Sequence, residues 1–366
     1  MLKICLIQNE LKDDEFRNDG EKLNFLIMKA LSDSGFQTDL FCVKNNLKNE
    51  YPLQNITELA LDNFEQNVFS IVNKLNYDLT FSTEYFPSDV VYLHKHSAAY
   101  LQYLVKSKFD NLFELLFLNK NYSKAHSAIK KQELFSKHYK LVLTPSTVLK
   151  NDLINLLNID GQKTYILPPA IDMPNHVKMR TNQVFTFGFI ADDFLLNGGF
   201  ILLKALRHLK SFHFKVKILY PYPKLDFWTK YFISLNKLED AVEFIMDNDD
   251  VADFYDAIDS LVLPSKMEAF SMYGLEAMSR GKIVIASSRC GIKDIIEPDN
   301  NGFIFNITHT PDINLARVLK YVMTNKDDFE NLRQKAVFTA SVYNYEKFKN
   351  ELIRILNKFS KNPEVN

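Results

Sequence analysis

Glycine is scarce in this chain, with 10 residues in 366 against a usual share of ~7%. Few loops can therefore bring bare backbone close to a ligand, and a pair such as Gly198-Gly199 needs a reason. Cysteine is scarcer still: Cys5, Cys42 and Cys290 are an odd number with no CxxC or metal-ligand spacing. That argues against a disulfide framework and a structural zinc site, and fits a reducing cytosol. No apolar run approaches the ~18 residues of a membrane span. The opening Met1-Leu2-Lys3-Ile4-Cys5-Leu6-Ile7 is shorter than a signal peptide and gives way to polar Gln8-Asn9-Glu10. Neither sign of charge dominates. Lys plus Arg is 44 and Asp plus Glu is 45, so no basic excess points to a nucleic-acid partner.

What is present is enough apolar material, 46% of residues, for two packed cores. Short apolar runs at 3–8, 39–43, 78–82, 90–93, 141–144 and 164–167 read as strands. Between them, 20–34 and 148–157 show helical spacing. Three prolines in Pro168-Pro169-Ala170-Ile171-Asp172-Met173-Pro174 then break both patterns. The alternation restarts with strands at 184–190, 215–219, 241–245, 260–264 and 283–287, and helices through 202–209, around 251–257 and at 273–280. Strands alternating with helices imply parallel sheets built from βαβ units. The expected organisation is a Rossmann-like domain at 1–170, a second at 171–345, and a final amphipathic helix within 346–366 whose stripe is Phe348, Leu352, Ile355, Leu356 and Phe359.

One stretch is basic. Residues 106–140 hold eight lysines against Asp110, Glu114 and Glu133, with Phe109, Phe113, Phe117, Tyr122, Phe135 and Tyr139 interleaved. A solvated helix face is one reading. Contact with an anionic membrane surface, where each lysine adds ~1 kcal/mol, is the other.

The most informative segment is Pro264-Ser265-Lys266-Met267-Glu268-Ala269-Phe270-Ser271-Met272-Tyr273-Gly274-Leu275-Glu276-Ala277-Met278-Ser279-Arg280-Gly281. A buried strand ends, a loop holds Glu268, and a helix starts near 271–273 and stops at Gly281. Backbone N–H groups at that helix start, at Ser271, Met272 and Tyr273, suit a diphosphate. Glu276, one turn in, offers two acceptor oxygens to the vicinal diol of a ribose. Glu268 in the preceding loop would reach the transferred sugar. The site would lie at the C-terminal ends of parallel strands, where α/β folds bind ligands.

The E-x7-E spacing of Glu268 and Glu276, with Arg289-Cys290-Gly291 and Ile295-Ile296-Glu297-Pro298 behind it, resembles the retaining glycosyltransferase family 4 on the GT-B fold. Leu167-Pro168-Pro169-Ala170-Ile171-Asp172 and Ala191-Asp192-Asp193-Phe194 are closest in style to its lipopolysaccharide core glucosyltransferases. The resemblance implies two Rossmann-like domains facing a cleft and a last helix that crosses back to the first. It implies a nucleotide-diphosphate sugar as co-substrate, with no metal and no further cofactor. The acceptor would be a cell-surface glycan or a lipid-linked molecule, and the protein cytoplasmic, peripheral at the inner membrane face. Glu268 and His94 would be catalytic. Glu276, Ser271, Met272, Tyr273, Leu275, Lys266, Asn197 and Gly198 would hold the donor, and Gly20 and His96 the acceptor.

There is a departure. Leu196 and Asn197 stand where that family has Arg and Lys against the diphosphate. Lys266 is the nearest substitute, with Arg280, Arg289 and Lys293 behind it. Three expectations stay open: a transferase with a changed diphosphate grip, an enzyme acting on a sugar phosphate, or a catalytically reduced GT-B partner subunit or glycan-binding protein.

Overall fold

The run Ile4-Cys5-Leu6-Ile7 is apolar at every position, as expected of a strand buried on both faces. In the computed structural model, Ile4 and Leu6 join one core cluster and Cys5 and Ile7 join another on the opposite face. The structure describes residues 2–12, 19–46, 53, 55–59, 64–95, 132–175, 177, 182–191, 193–220, 227–246 and 251–361. Two units are present, Met1–Ala170 with Tyr345–Asn366, and Ile171–Asn344.

The first unit holds β1 (Lys3–Lys12), α1 (Asp19–Asp33), β2 (Gln37–Asn46), β3 (Asn55–Glu58), α2 (Phe64–Leu75), β4 (Leu79–Ser82), β5 (Val90–Tyr92), β6 (Leu141–Thr144), α3 (Thr147–Leu157) and β7 (Thr164–Ile166). Its seven-stranded sheet runs in the order β3-β2-β1-β4-β5-β6-β7, with parallel pairing throughout. Strand order reverses direction between β1 and β4, where Ile7 lies beside Ser82.

The second unit holds β8 (Thr186–Ile190), α4 (Gly199–Leu206), β9 (Lys215–Tyr220), α5 (Phe227–Leu235), β10 (Val242–Met246), α6 (Val251–Asp256), β11 (Ser260–Leu263), α7 (Met272–Ser279), β12 (Ile283–Ser287), β13 (Phe303–Phe305), α8 (Pro311–Thr324) and α9 (Glu330–Ser341). Its sheet runs β10-β9-β8-β11-β12-β13, again all parallel. Here the order reverses between β8 and β11. β11 and β12 are buried along their whole length.

The last helix, α10 (Tyr345–Lys361), belongs to the first unit. Phe348, Leu352, Ile355 and Leu356 sit in the same cluster as Ile4, Leu6, Leu40 and Phe81. Fully burying a side chain of this size contributes ~1.5–3 kcal/mol, so the stripe fixes the helix to the sheet. Tyr345 donates to Asp33 on α1 at 2.5 Å. The crossing helix expected from the resemblance is therefore present.

Several elements depart from the sequence reading. β1 runs to Lys12, because Glu10, Leu11 and Lys12 pair with Lys44, Asn45 and Asn46 of β2. β3, β13, α2, α5, α8 and α9 were not anticipated. Most of the basic stretch, residues 106–131, lies outside the described residues. In the described part, Phe135 and Tyr139 are buried core residues and not surface aromatics. Lys140 is held by Asp89 at 2.8 Å. All three cysteines are free and buried, and burial pushes the Cys5 thiol up to about 12.

Candidate active site

The second unit brings two loops together at its β8/β11 reversal, the place where open α/β sheets bind ligands. The first loop, residues 193–199, is a tight turn. Asp193 Oδ1 accepts the N–H groups of Leu195 (3.1 Å) and Leu196 (2.9 Å). Gly198 ends the turn at φ +83° as the N-cap of α4. A Cβ there would lie 2.0 Å from the carbonyl oxygen of Pro264, on the other loop. Glycine is required by both conformation and contact.

The second loop, 264–271, is pinned along its length. Lys266 N donates to Leu196 O at 2.9 Å. Ser287 Oγ donates to Ser265 O at 2.6 Å. Glu268 forms an isolated parallel bridge with Cys290, through Glu268 N to Arg289 O and Gly291 N to Glu268 O. Ile292 N donates to Phe270 O at 2.8 Å. The Arg289-Cys290-Gly291 triplet is thus the rail on which Glu268 is mounted. The side chain of Glu268 is half-buried, and Asn197 Nδ2 donates to its Oε2 at 3.3 Å across the reversal.

Helix α7 begins at the end of this loop. Its N-cap, Ser271, has φ 84° and accepts the Gly274 N–H on Oγ at 3.3 Å. A non-glycine residue in such a region costs of order 1–3 kcal/mol, and such outliers gather at ligand sites. Leu275 and Met272 are buried, so only their backbone can face a ligand at the tip. Glu276 is half-buried one turn in. Its Oε2 and the Tyr273 carbonyl lie 3.1 and 3.0 Å from the Tyr255 hydroxyl, which donates between them. Tyr255 is itself buried at the end of α6, with Arg280 over its ring at 5.4 Å. No spacing rule pointed to Tyr255. It reaches Glu276 only because α6 leads into β11 and α7 leads out of it.

The structure therefore gathers Asn197, Gly198, Lys266, Glu268, Ser271, Met272, Tyr273, Leu275 and Glu276 at the β8/β11 reversal of the second unit. The others belong to the first unit. Gly20 is buried in the first turn of α1, and His96 lies outside the described residues. His94 follows β5. Its two ring nitrogens are closed to solvent and have no hydrogen-bond partner among the described residues. Burial pushes His94 down to about 3, and Lys95 pushes the same way, against the nearby carbonyls of Tyr92 and Thr83. The ring is a neutral imidazole with one donor and one acceptor. Gln8, within β1, donates through Nε2 to Thr83 Oγ1 at 3.1 Å across the β1/β4 reversal.

A pair of parallel six- and seven-stranded sheets, with the chain returning to the first unit through its last helix, defines a protein of the GT-B fold. Solved structures agree over nearly the whole chain. A sucrose-phosphate synthase from Thermosynechococcus elongatus superposes with TM-score 0.76 at 15% identity, covering 98% of this chain and 99% of its own. Anabaena Alr3699/HepE in complex with UDP gives TM-score 0.72 at 15% identity, covering 98% and 100%. WaaG, a glycosyltransferase involved in lipopolysaccharide biosynthesis, gives 0.69 at 16% identity, covering 96% and 99%. The second unit carries a domain of the glycosyl transferases group 1, whose family model matches residues 196–337. An uncharacterized glycosyltransferase of Haemophilus influenzae is 27% identical over 120 residues, 32% of this chain. The match spans about a third of that curated relative's length.

Proposed function

We propose that the chain is a retaining glycosyltransferase that moves a sugar from a nucleotide-diphosphate sugar to a cell-surface glycan or lipid-linked acceptor. The observation that carries this reading is the meeting of two anchored loops and the α7 tip at the β8/β11 reversal, with Glu268 and Glu276 on either side of the tip. In this reading Glu276, oriented by Tyr255, takes the ribose diol. The helix tip, the Gly198-Gly199 backbone and Lys266 meet the diphosphate, whose charge must be stabilised as it leaves. Glu268 faces the transferred sugar. No metal takes part. The group 1 domain supports the reading, as do neighbours whose structures hold UDP and UDP-glucose. No helix among the described residues is long and apolar enough to cross a membrane. A cytoplasmic enzyme working at the inner membrane face fits the acceptor class.

The test is a thermal-shift panel of UDP-, GDP- and ADP-sugars on the full chain. Stabilisation by one base series, lost in Glu276→Ala, is the expected outcome. No stabilisation by any of them overturns the reading. A second reading, a catalytically silent GT-B partner or glycan-binding protein, draws on the uncharged Leu196/Asn197 pair. Donor hydrolysis or transfer by the purified chain removes it.

A further inference from the structure

Asn197 is more than an absent cation. Its backbone N–H donates to Asp193 O at 2.8 Å, and its side-chain Oδ1 accepts the Asp193 N–H at 2.8 Å. An asparagine amide keeps its acceptor and its donors at opposite ends. A backbone N–H can only donate, so Oδ1 must face Asp193 and Nδ2 must face away. That orientation points Nδ2 at Glu268 Oε2, 3.3 Å distant on the other loop. The Glu268 backbone is in turn tied to residues 289 and 291. The hydrogen bond thus closes between two stems that are each fixed independently.

We propose that Asn197 is a positioning residue for Glu268: its pinned amide holds the carboxylate as a hydrogen-bond acceptor across the β8/β11 reversal. The proposal rests on the reading of Glu268 as the carboxylate at the transferred sugar. The charged groups on the surrounding segments are Asp193 on the Asn197 loop, Lys266 two residues before Glu268, and Arg289, whose carbonyl receives the Glu268 N–H. A donor-only group in contact with Glu268 favours its ionised form, a second carboxylate there disfavours it, and a cation strengthens it.

The experiment is a carboxyl-carbon NMR titration of glutamate-labelled full chain, with the Glu268 signal identified by its loss in Glu268→Gln. The Glu268 midpoint should rise by about one unit or more in Asn197→Asp and fall in Asn197→Lys. The acid limb of UDP release from UDP-glucose should move in the same two directions. Either variant carries the test if the other fails to fold. Unmoved midpoints overturn the proposal. So does a loss of UDP release with the acid limb unmoved, which is what a merely structural role predicts. A wild-type chain that releases no nucleoside diphosphate from any UDP-, GDP- or ADP-sugar fails the transferase reading instead, and the NMR arm still decides whether Asn197 holds Glu268.

Discussion

Replacing Gly198 by alanine tests the junction on which the whole site depends. Gly198 has φ +83°, and an added Cβ would meet the Pro264 carbonyl oxygen at 2.0 Å and its carbon at 2.6 Å. The left-handed backbone alone costs an L-residue roughly 1–2 kcal/mol. An ordinary carbon–oxygen approach is about 3.3 Å, so the two loops must part by more than an ångström. Parting them breaks Lys266 N to Leu196 O and Asn197 Nδ2 to Glu268 Oε2, each worth about 0.5–1.5 kcal/mol net. The total is about 3 kcal/mol, which lowers the melting temperature of a unit this size by roughly 6–12 °C. Gly35→Ala is the control. Gly35 has φ +77° but nothing within 4 Å of its Cβ position, so it incurs the backbone term without the clash. Melting followed by circular dichroism gives the totals, and amide exchange by mass spectrometry locates the loosening. Gly198→Ala should melt well below Gly35→Ala and show faster exchange at 193–199 and 264–271. Equal melting temperatures with unchanged exchange in both loops would refute the described contact.

Two further outcomes follow from single side chains. Tyr255→Phe keeps the packing but removes the hydroxyl that orients Glu276; UDP affinity measured by calorimetry should fall roughly tenfold, and an unchanged affinity separates Tyr255 from the ribose site. His94 takes up its proton only near 3 in the folded chain, whereas an unfolded histidine does so near ~6.5. Stability is therefore unaffected above that pH and declines below it, by up to about 1.4 kcal/mol per pH unit. Urea midpoints at pH 7 and pH 5 should converge in His94→Gln, and a wild-type difference that persists in the variant would place the acid sensitivity elsewhere.

The legible parts of this molecule are those where one face or both must be apolar. The strands at 141–144 and 283–287 are found where their unbroken apolar runs put them, and α7 lies within one residue of its expected place. β3 was not visible because three of its four residues are exposed and its sequence, Asn55-Ile56-Thr57-Glu58, lacks alternation. α9 was missed for a related reason. It buries Leu332, Arg333, Ala336 and Ala340, a set with a single large apolar residue. The end of β1 lies beyond the apolar run, and only its backbone pairing with β2 extends the strand to Lys12. In the site, Glu268, Glu276 and the Ser271 cap could be read from local spacing. Tyr255, and the bond that joins Asn197 to Glu268, could not. They connect residues 21 and 71 positions apart, and only the β8-β11 adjacency brings them together.

Helix α10 has a consequence for how the protein is made. The first unit's core includes Leu352 and Leu356, the penultimate turns of the helix that comes last in the chain. A ribosome releases polypeptide from the N-terminal end, so that core stays open throughout synthesis of everything between. The second unit has no such debt to a distant segment and can close as soon as residue 344 has emerged. Nascent chains should therefore acquire protease resistance in reverse order, with the later half settling before the earlier one.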